Sequence, residues 1–191
     1  MQLLCVFAAG AAALQPASPP APNAVNLVFL SEGYTRREKF DADVARLSAE
    51  VFFAPSAAFY SVAPLLNVRS IFVPSRTSGV GFKKAGDTAF RLYREDRTLR
   101  SILPSPESYA KAKKLAGRHA PGWDFAVILV NTPFYGGLGD EIAIVSASAT
   151  SGAVALRHEL GHIFADMGEE YDAGLDYRCV FIYRYILNEF C

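Results

Sequence analysis

The sequence predicts an α/β (α+β) fold in which helices pack against a mixed β-sheet and a histidine-bearing helix follows the last strand. Short apolar runs, typical of buried strands, alternate along the chain with longer segments of helical periodicity. The chain has 191 residues, of which 51% are apolar, so it is large and apolar enough for a single core. We therefore expect one domain with the sheet at its centre.

The predicted strands are short runs rich in Val, Ile, Leu and Phe, and they cover residues 24–30, 67–73, 125–130 and 142–147. The run FAVILV at 125–130 is the strongest of them. Strand 142–147 lies just ahead of the last helix and could be an edge on which an extended peptide lies by strand addition. The alternative is an ordinary interior strand.

Three helices are predicted, over residues 36–53, over residues 105–117, and from a cap at Thr150 or Ser151 to a stop at Gly168. A capping box formed by Thr35 and Glu38 is expected to open the first helix. The loop at 131–141 between the last two strands is rich in glycine.

Charge and hydropathy argue against two classes of partner. The 19 Lys and Arg residues balance 19 Asp and Glu residues, so no net field attracts nucleic acid, and the basic cluster at 111–118 is predicted to be a solvated helix face. The apolar run at 3–14 is too short to span a bilayer but is typical of a signal peptide. We therefore expect a secreted protein without stable membrane insertion, with a signal peptide and Pro/Ala-rich spacer at 1–22; the alternative is a fragment of a longer chain.

The pentapeptide His158-Glu159-Leu160-Gly161-His162 is the segment most specific for a chemical function. Four residues of helix turn the chain by about 400°, so the two imidazoles lie roughly 40° apart and about 6 Å apart along the axis. They can bind one tetrahedral zinc ion while Glu159 acts as general base on the metal-bound water. The alternative is an amphipathic helix with two surface histidines. An apolar stripe on the helix argues against this alternative and consists of Leu156, Leu160, Ile163 and Phe164. The stripe anchors one face of the helix in the core and leaves the histidine face open.

A catalytic zinc ion needs a third protein ligand and one position open to water. The candidates are the carboxylates that follow the motif: Asp166, Glu169, Glu170 and Asp172. On a straight helix Asp166 lies too far along the axis, whereas a carboxylate beyond Gly168 can fold back toward the histidines. His119 is predicted to be an ordinary surface histidine.

Four segments of the chain have the pattern of a known family. HELGHIFADMGEEYD (158–172) resembles the metal site of the immunoglobulin A peptidase family of zinc metallopeptidases, which typically reads HEFGHSF..LADEY. VFLSEGYTRREKFDADVARL (28–47) resembles the strand-turn-helix opening of the family. LLNVRSIFVPSRTSG (65–79) resembles its second strand and loop, and FAVILVNTPFYGG (125–137) resembles its strand and Asn-x-x-x-Tyr-Gly-Gly loop. Together they cover most of residues 25–172 in the expected order.

The resemblance implies a zincin-like domain and a secreted zinc endopeptidase that hydrolyses peptide bonds in protein or peptide substrates. The implied zinc ligands are His158, His162 and Glu170, with Glu169 as the alternative third ligand. Glu159 is the implied general base. Tyr171 or Tyr135 could polarise the scissile carbonyl. For either tyrosine the alternative role is packing in the wall of the cleft.

The end of the chain departs from the family pattern. We predict a catalytic domain over 23–176 and an atypical C-terminal tail over 177–191, in which Cys179 and Cys191 could form a disulfide. A truncated domain could leave the metal ligands without the neighbours that orient them. The alternative function is therefore a non-catalytic zinc-binding remnant of such a peptidase.

Overall fold

The computed structural model describes residues 24–96, 100–165 and 167–168. Its regular elements, in chain order, are β1 (Val25–Glu32), α1 (Arg37–Ser48), β2 (Leu66–Ile71), β3 (Gly81–Phe82), β4 (Tyr93–Arg94), α2 (Ser108–His119), β5 (Phe125–Val130), β6 (Gly137–Leu138), β7 (Ala143–Ser146) and α3 (Gly152–Ala165). Five strands form one sheet in the order β2-β1-β5-β7-β6, and β3 pairs with β4 separately. The first four strands of the large sheet are parallel and β6 is antiparallel to β7, so the predicted mixed sheet is confirmed.

The large sheet is covered on both faces, which explains its nearly continuous apolar strands. Side chains alternate along a strand, so Leu27 and Phe29 of β1 face the layer that contains α1 and α3. Val28 and Leu30 face the opposite layer, which contains α2 and the chain between β4 and α2. The sheet is therefore the middle of three layers, as expected for parallel strands with crossover helices.

A tight turn at Gly33 follows β1 and brings three parts of the chain together. Gly33 has a φ of +71°, and a Cβ atom there would lie 1.9 Å from the carbonyl oxygen of Gly79. The Gly33 carbonyl accepts hydrogen bonds from the Gly79 N–H at 3.0 Å and from Asn131 Nδ2 at 2.9 Å. This turn thus links the end of β1 to the loop after β2 and to the loop after β5.

The buried carboxylate of Glu32 holds the chain that leads into β4. It accepts hydrogen bonds from Thr88 Oγ1 at 2.5 Å, from the Phe90 N–H at 2.7 Å and from the Leu92 N–H at 2.9 Å. Burial raises the pKa of Glu32, while these three bonds act in the opposite direction. Through them the carboxylate joins the irregular segment after β2 to the centre of the sheet.

The first predicted helix is present and begins within one residue of its predicted start, but it lacks the predicted cap. Helix α1 starts at Arg37, and Arg36 at the N-cap position has no side-chain cap, so the capping box of Thr35 and Glu38 is wrong. Instead, the buried Tyr34 donates a hydrogen bond from its hydroxyl to Asp43 at 3.0 Å. This hydrogen bond ties the chain just before α1 to the helix itself. The helix continues through a single π-helical turn to Phe53, the residue at which the sequence predicted its end.

The sequence left two alternatives for the strand at 142–147, an edge strand or an interior strand, and the structure shows the interior one. The strand is present as β7, and β5 flanks it on one side and β6 on the other. Gly137 and Leu138 of β6 pair with Val145 and Ile144 and form the sheet edge. Sequence reasoning placed both residues in a glycine-rich loop, because two residues are too short to show a strand pattern.

Several predictions fall on residues that the structure does not describe: the signal peptide and spacer at 1–22, the tail at 177–191, and the cysteines Cys179 and Cys191. Within the described ranges, no helix has the length and apolar character needed to cross a bilayer. The lysines and the arginine of the 111–118 cluster are exposed, as predicted for a solvated helix face.

Candidate metal centre

Helix α3 is anchored by the apolar stripe that the sequence predicted. Leu156 and Leu160 are fully buried, while Ile163 and Phe164 are partly buried against the same core. The Phe164 ring lies 4.6 Å from the ring of Phe125, centroid to centroid. This packing fixes the helix against the sheet and turns its histidine face toward a cleft.

The two histidines of the motif converge on one point. His158 Nε2 and His162 Nε2 lie 3.1 Å apart, and their rings are nearly perpendicular at 88°. His162 Nδ1 lies 2.6 Å from the Met167 carbonyl oxygen. A carbonyl oxygen only accepts, so Nδ1 carries the proton and Nε2 presents its lone pair. A backbone partner of this kind is typical of metal-binding histidines.

This arrangement fits a tetrahedral metal ion. Two ligand atoms that are each about 2.0–2.1 Å from such an ion lie roughly 3.3 Å apart, close to the observed separation of the two nitrogens. The ligand atoms of His158, Glu159 and His162 all lie within 4.8 Å of one another. Two imidazole nitrogens this close require a proton or a cation between them, since bare lone pairs repel each other.

The Glu159 carboxylate is enclosed by the backbone of a neighbouring segment. Only 6% of this residue is exposed. A Cβ atom on Gly137 would lie 2.1 Å from Glu159 Oε1, and one on Gly139 would lie 2.8 Å from Oε2 and 2.9 Å from His162 Cδ2. Glycine at both positions therefore lets the backbone after β5 contact the carboxylate directly.

Acidic groups influence Tyr109 of α2. Burial, and after it the negative charges of Asp140, Glu141 and Glu159, raise the pKa of the Tyr109 phenol above its usual range. The phenol is therefore neutral at physiological pH.

A cleft of about 440 Å³ opens beside the histidines. The side chains that line it include both histidines, Tyr135, Arg100, Arg157 and Phe59. The Arg100 guanidinium lies over the Tyr135 ring, 5.4 Å from its centroid. Tyr135 is thus part of the cleft wall next to the two imidazole rings.

The structure explains why the Asn-x-x-x-Tyr-Gly-Gly segment has this pattern. Asn131 donates to the turn at Gly33, and Tyr135 lines the cleft. Gly136 is buried, and a Cβ atom there would lie 2.4 Å from Arg94 Nη2, while Gly137 faces Glu159. Each position therefore makes a contact that another residue type would lose or obstruct.

The predicted site residues separate into three groups. The structure brings together His158, Glu159 and His162, and it places Tyr135 in the adjoining wall. His119 is exposed at the end of α2 and is not among the described residues of the cluster. The third group lies outside the described residues and comprises Asp166, Glu169, Glu170, Tyr171 and Asp172.

Sequence reasoning missed the residues that enclose the Glu159 carboxylate. Gly137 had a signal, since it belongs to the glycine pair that follows Tyr135, and such glycines indicate close backbone contact; Gly139 is a single glycine two positions later. Arg94, which contacts the same segment, had none, because a single arginine in an irregular region has no local pattern.

Comparison with known proteins agrees with this geometry. A search of curated protein sequences found no match. A family model described as IgA Peptidase M64 matches residues 12–180, which is nearly the whole chain and includes the sheet and α3. The match confirms the resemblance found in the sequence. The chain therefore belongs to the IgA peptidase M64 family, a family of metallopeptidases.

Proposed function

We propose that the protein is a secreted zinc endopeptidase that hydrolyses peptide bonds in protein substrates. Membership of a metallopeptidase family supports hydrolysis of proteins. The observation that carries the proposal is the pair of Nε2 atoms 3.1 Å apart with the Glu159 carboxylate beside them. Two imidazoles and an adjacent glutamate on one helix are the ligand and base set of zinc-dependent peptidases.

His158 and His162 are the proposed ligands on α3, and Glu170 is the proposed third ligand, with its neighbour Glu169 as the alternative. The chain leaving α3 supports a ligand from this segment. The Met167 N–H donates to the Gly161 carbonyl at 3.3 Å, and the Met167 carbonyl accepts from His162. Met167, two residues before Glu169, is therefore held beside the helix at the level of His162.

Glu159 is the proposed general base. A zinc ion held by these residues would lower the pKa of a bound water molecule and polarise a substrate carbonyl. Glu159 accepts the proton of the attacking water and then donates it to the nitrogen of the leaving amine. The enclosure of the carboxylate by Gly137 and Gly139 keeps it in one orientation, which supports this role.

The proposal is tested by cleavage of a casein-like substrate with and without a chelator, together with metal analysis. Chelation should abolish cleavage, and added zinc should restore it. Glu159→Gln should retain zinc but lose about 10²–10⁴-fold in kcat, the usual contribution of a general base. Zinc binding without cleavage by the wild-type chain would instead indicate a non-catalytic zinc-binding remnant.

Secretion is a separate part of the proposal and is supported by the apolar run at 3–14. Expression of the full chain in a secreting host, followed by N-terminal sequencing of the exported protein, tests it. Export with removal of the first residues is expected. Retention of the intact chain inside the cell would contradict it.

A further inference from the structure

A buried arginine holds the segment that encloses the general base. Arg94 of β4 is only 7% exposed. Its Nη2 atom donates hydrogen bonds to the carbonyl oxygen of Tyr135 at 2.7 Å and to that of Phe134 at 3.2 Å. The guanidinium thus joins the small β3–β4 sheet to the segment of residues 134–139, called here the glycine segment.

Arg94 contacts the glycine segment next to hydrogen bonds that the segment makes with two other parts of the chain. Gly136 lies directly beside the guanidinium, because a Cβ atom there would lie 2.4 Å from Arg94 Nη2. The Gly136 carbonyl accepts from the Ser146 N–H at 2.9 Å, and the Gly137 N–H donates to the Arg100 carbonyl at 3.2 Å. The next residues, Gly137 to Gly139, lie against Glu159.

We propose that Arg94 is a positioning residue for the peptidase reaction. By binding the carbonyls of Phe134 and Tyr135, it keeps the backbone of Gly137 and Gly139 against the Glu159 carboxylate and so fixes the orientation of the base. The inference rests on the proposed function, because a fixed carboxylate matters only if Glu159 transfers protons in the reaction.

Arginine is suited to this role for two physical reasons. Its planar, charged guanidinium donates to two neighbouring carbonyls in a rigid geometry, and hydrogen bonds from a charged donor are stronger than neutral ones. Burial lowers the pKa of Arg94, but an arginine side chain begins so far above neutral pH that it stays charged. A lysine has a single flexible ammonium group and would hold the two carbonyls less firmly.

The test compares Arg94→Ala and Arg94→Lys with a matched control, Arg118→Ala, which removes an exposed arginine from α2. For each variant, kcat, KM, zinc content and Tm are measured separately. Amide exchange of the glycine segment is measured by mass spectrometry, because this readout does not depend on activity. Methylguanidinium is added to Arg94→Ala at concentrations that leave its Tm unchanged.

We expect Arg94→Ala to keep its zinc and a KM within about threefold of wild type but to lose roughly 10–100-fold in kcat, as misplacement of a catalytic group by about 1 Å does. Arg94→Lys should fall between wild type and Arg94→Ala, and methylguanidinium should restore part of kcat. Exchange in the glycine segment should rise in both variants and remain unchanged in Arg118→Ala. If Arg94→Ala does not fold, Arg94→Lys decides the result.

An unchanged kcat in the folded variants, or a loss explained by missing zinc or a raised KM, would overturn the positioning role while leaving the peptidase proposal intact. A wild-type chain without peptidase activity would refute the proposed function and, with it, the catalytic part of this inference. The exchange data would still show whether Arg94 holds the glycine segment, so the two failures can be told apart.

Discussion

The contact between Gly137 and Glu159 gives the most specific prediction for a single substitution. In Gly137→Ala the new Cβ atom would lie 2.1 Å from Glu159 Oε1. A carbon and an oxygen in van der Waals contact are roughly 3.3 Å apart, so one of the two must move by about 1 Å. The Glu159 carboxylate is the end of a flexible side chain, whereas Gly137 is held in β6 by its pairing with β7. The carboxylate is therefore the group that moves.

The expected result is a large loss of rate with a small loss of stability. A displacement of about 1 Å at a catalytic group lowers kcat by roughly 10²-fold, which corresponds to about 2.7 kcal/mol in the activation free energy. The free energy of unfolding should fall by about 1 kcal/mol, the lower end of the range for overpacking, because a side chain can yield. Zinc content should not change, since the three atoms nearest to the new Cβ atom all belong to Glu159 and none to a histidine.

The assay is steady-state cleavage of a fluorogenic peptide, with urea unfolding and metal analysis on the same preparations. Gly117→Ala is the matched control, because a Cβ atom at this position in α2 meets nothing within 4 Å. It should leave kcat unchanged and stabilise the helix by up to about 1 kcal/mol. A Gly137→Ala enzyme with wild-type kcat, or one that loses zinc, would refute the reasoning about the carboxylate.

The remaining predictions concern other residues that the site and its support depend on. Glu32→Gln should lower the free energy of unfolding by about 1–3 kcal/mol in urea titrations, because in either orientation the amide NH₂ faces a backbone N–H. Burial raises the pKa of Glu32, so the unfolded chain releases this proton at a lower pH than the folded chain. The free energy of unfolding of the wild-type chain should therefore fall as the pH rises from the unfolded pKa of Glu32 to its folded pKa. Glu32→Gln should lack this pH dependence. Tyr135→Phe should lower kcat by about 10²-fold if the hydroxyl polarises the scissile carbonyl, whereas an unchanged kcat would assign Tyr135 to packing alone. Glu170→Gln should weaken zinc binding, measured by competition with a chelator, far more than Glu169→Gln; the reverse order would make Glu169 the ligand.

The parts of the fold that the sequence predicted well have strong local patterns. Strand β5 has the bounds predicted for it, because both sheet faces are covered and its side chains are almost all apolar. The stripe of α3 was predicted for a similar reason, since Leu156 and Leu160 recur at helical spacing on one buried face. In both cases the residues of one element determine its structure.

The features that were missed depend on contacts between distant residues. Strand β6 exists because Gly137 and Leu138 pair with β7, and the dipeptide itself has no strand propensity. The local Thr35–Glu38 pattern was misleading, because α1 has no side-chain cap at Arg36 and the Tyr34 hydroxyl instead bonds to Asp43, nine positions on. Such pairings become visible only when the chain is folded.

The candidate site shows the same division. The histidines and Glu159 lie within one helical turn, so their spacing alone predicted that they share a location. The glycine segment that encloses Glu159, and the arginine that holds it, come from positions before α3 in the chain and are brought there by the sheet. The sequence could indicate the chemistry of the site but not the backbone that orients it.

The central claim, that His158 and His162 bind one zinc ion, is tested most directly by the metal stoichiometry of the purified chain and of His162→Ala. Mass-spectrometric metal analysis after dialysis against a weak chelator gives both values. We predict about one zinc ion per wild-type chain and a nearly complete loss in the variant, because one remaining imidazole and a carboxylate bind zinc weakly. A wild-type chain without zinc, or a variant that retains it, would contradict the claim.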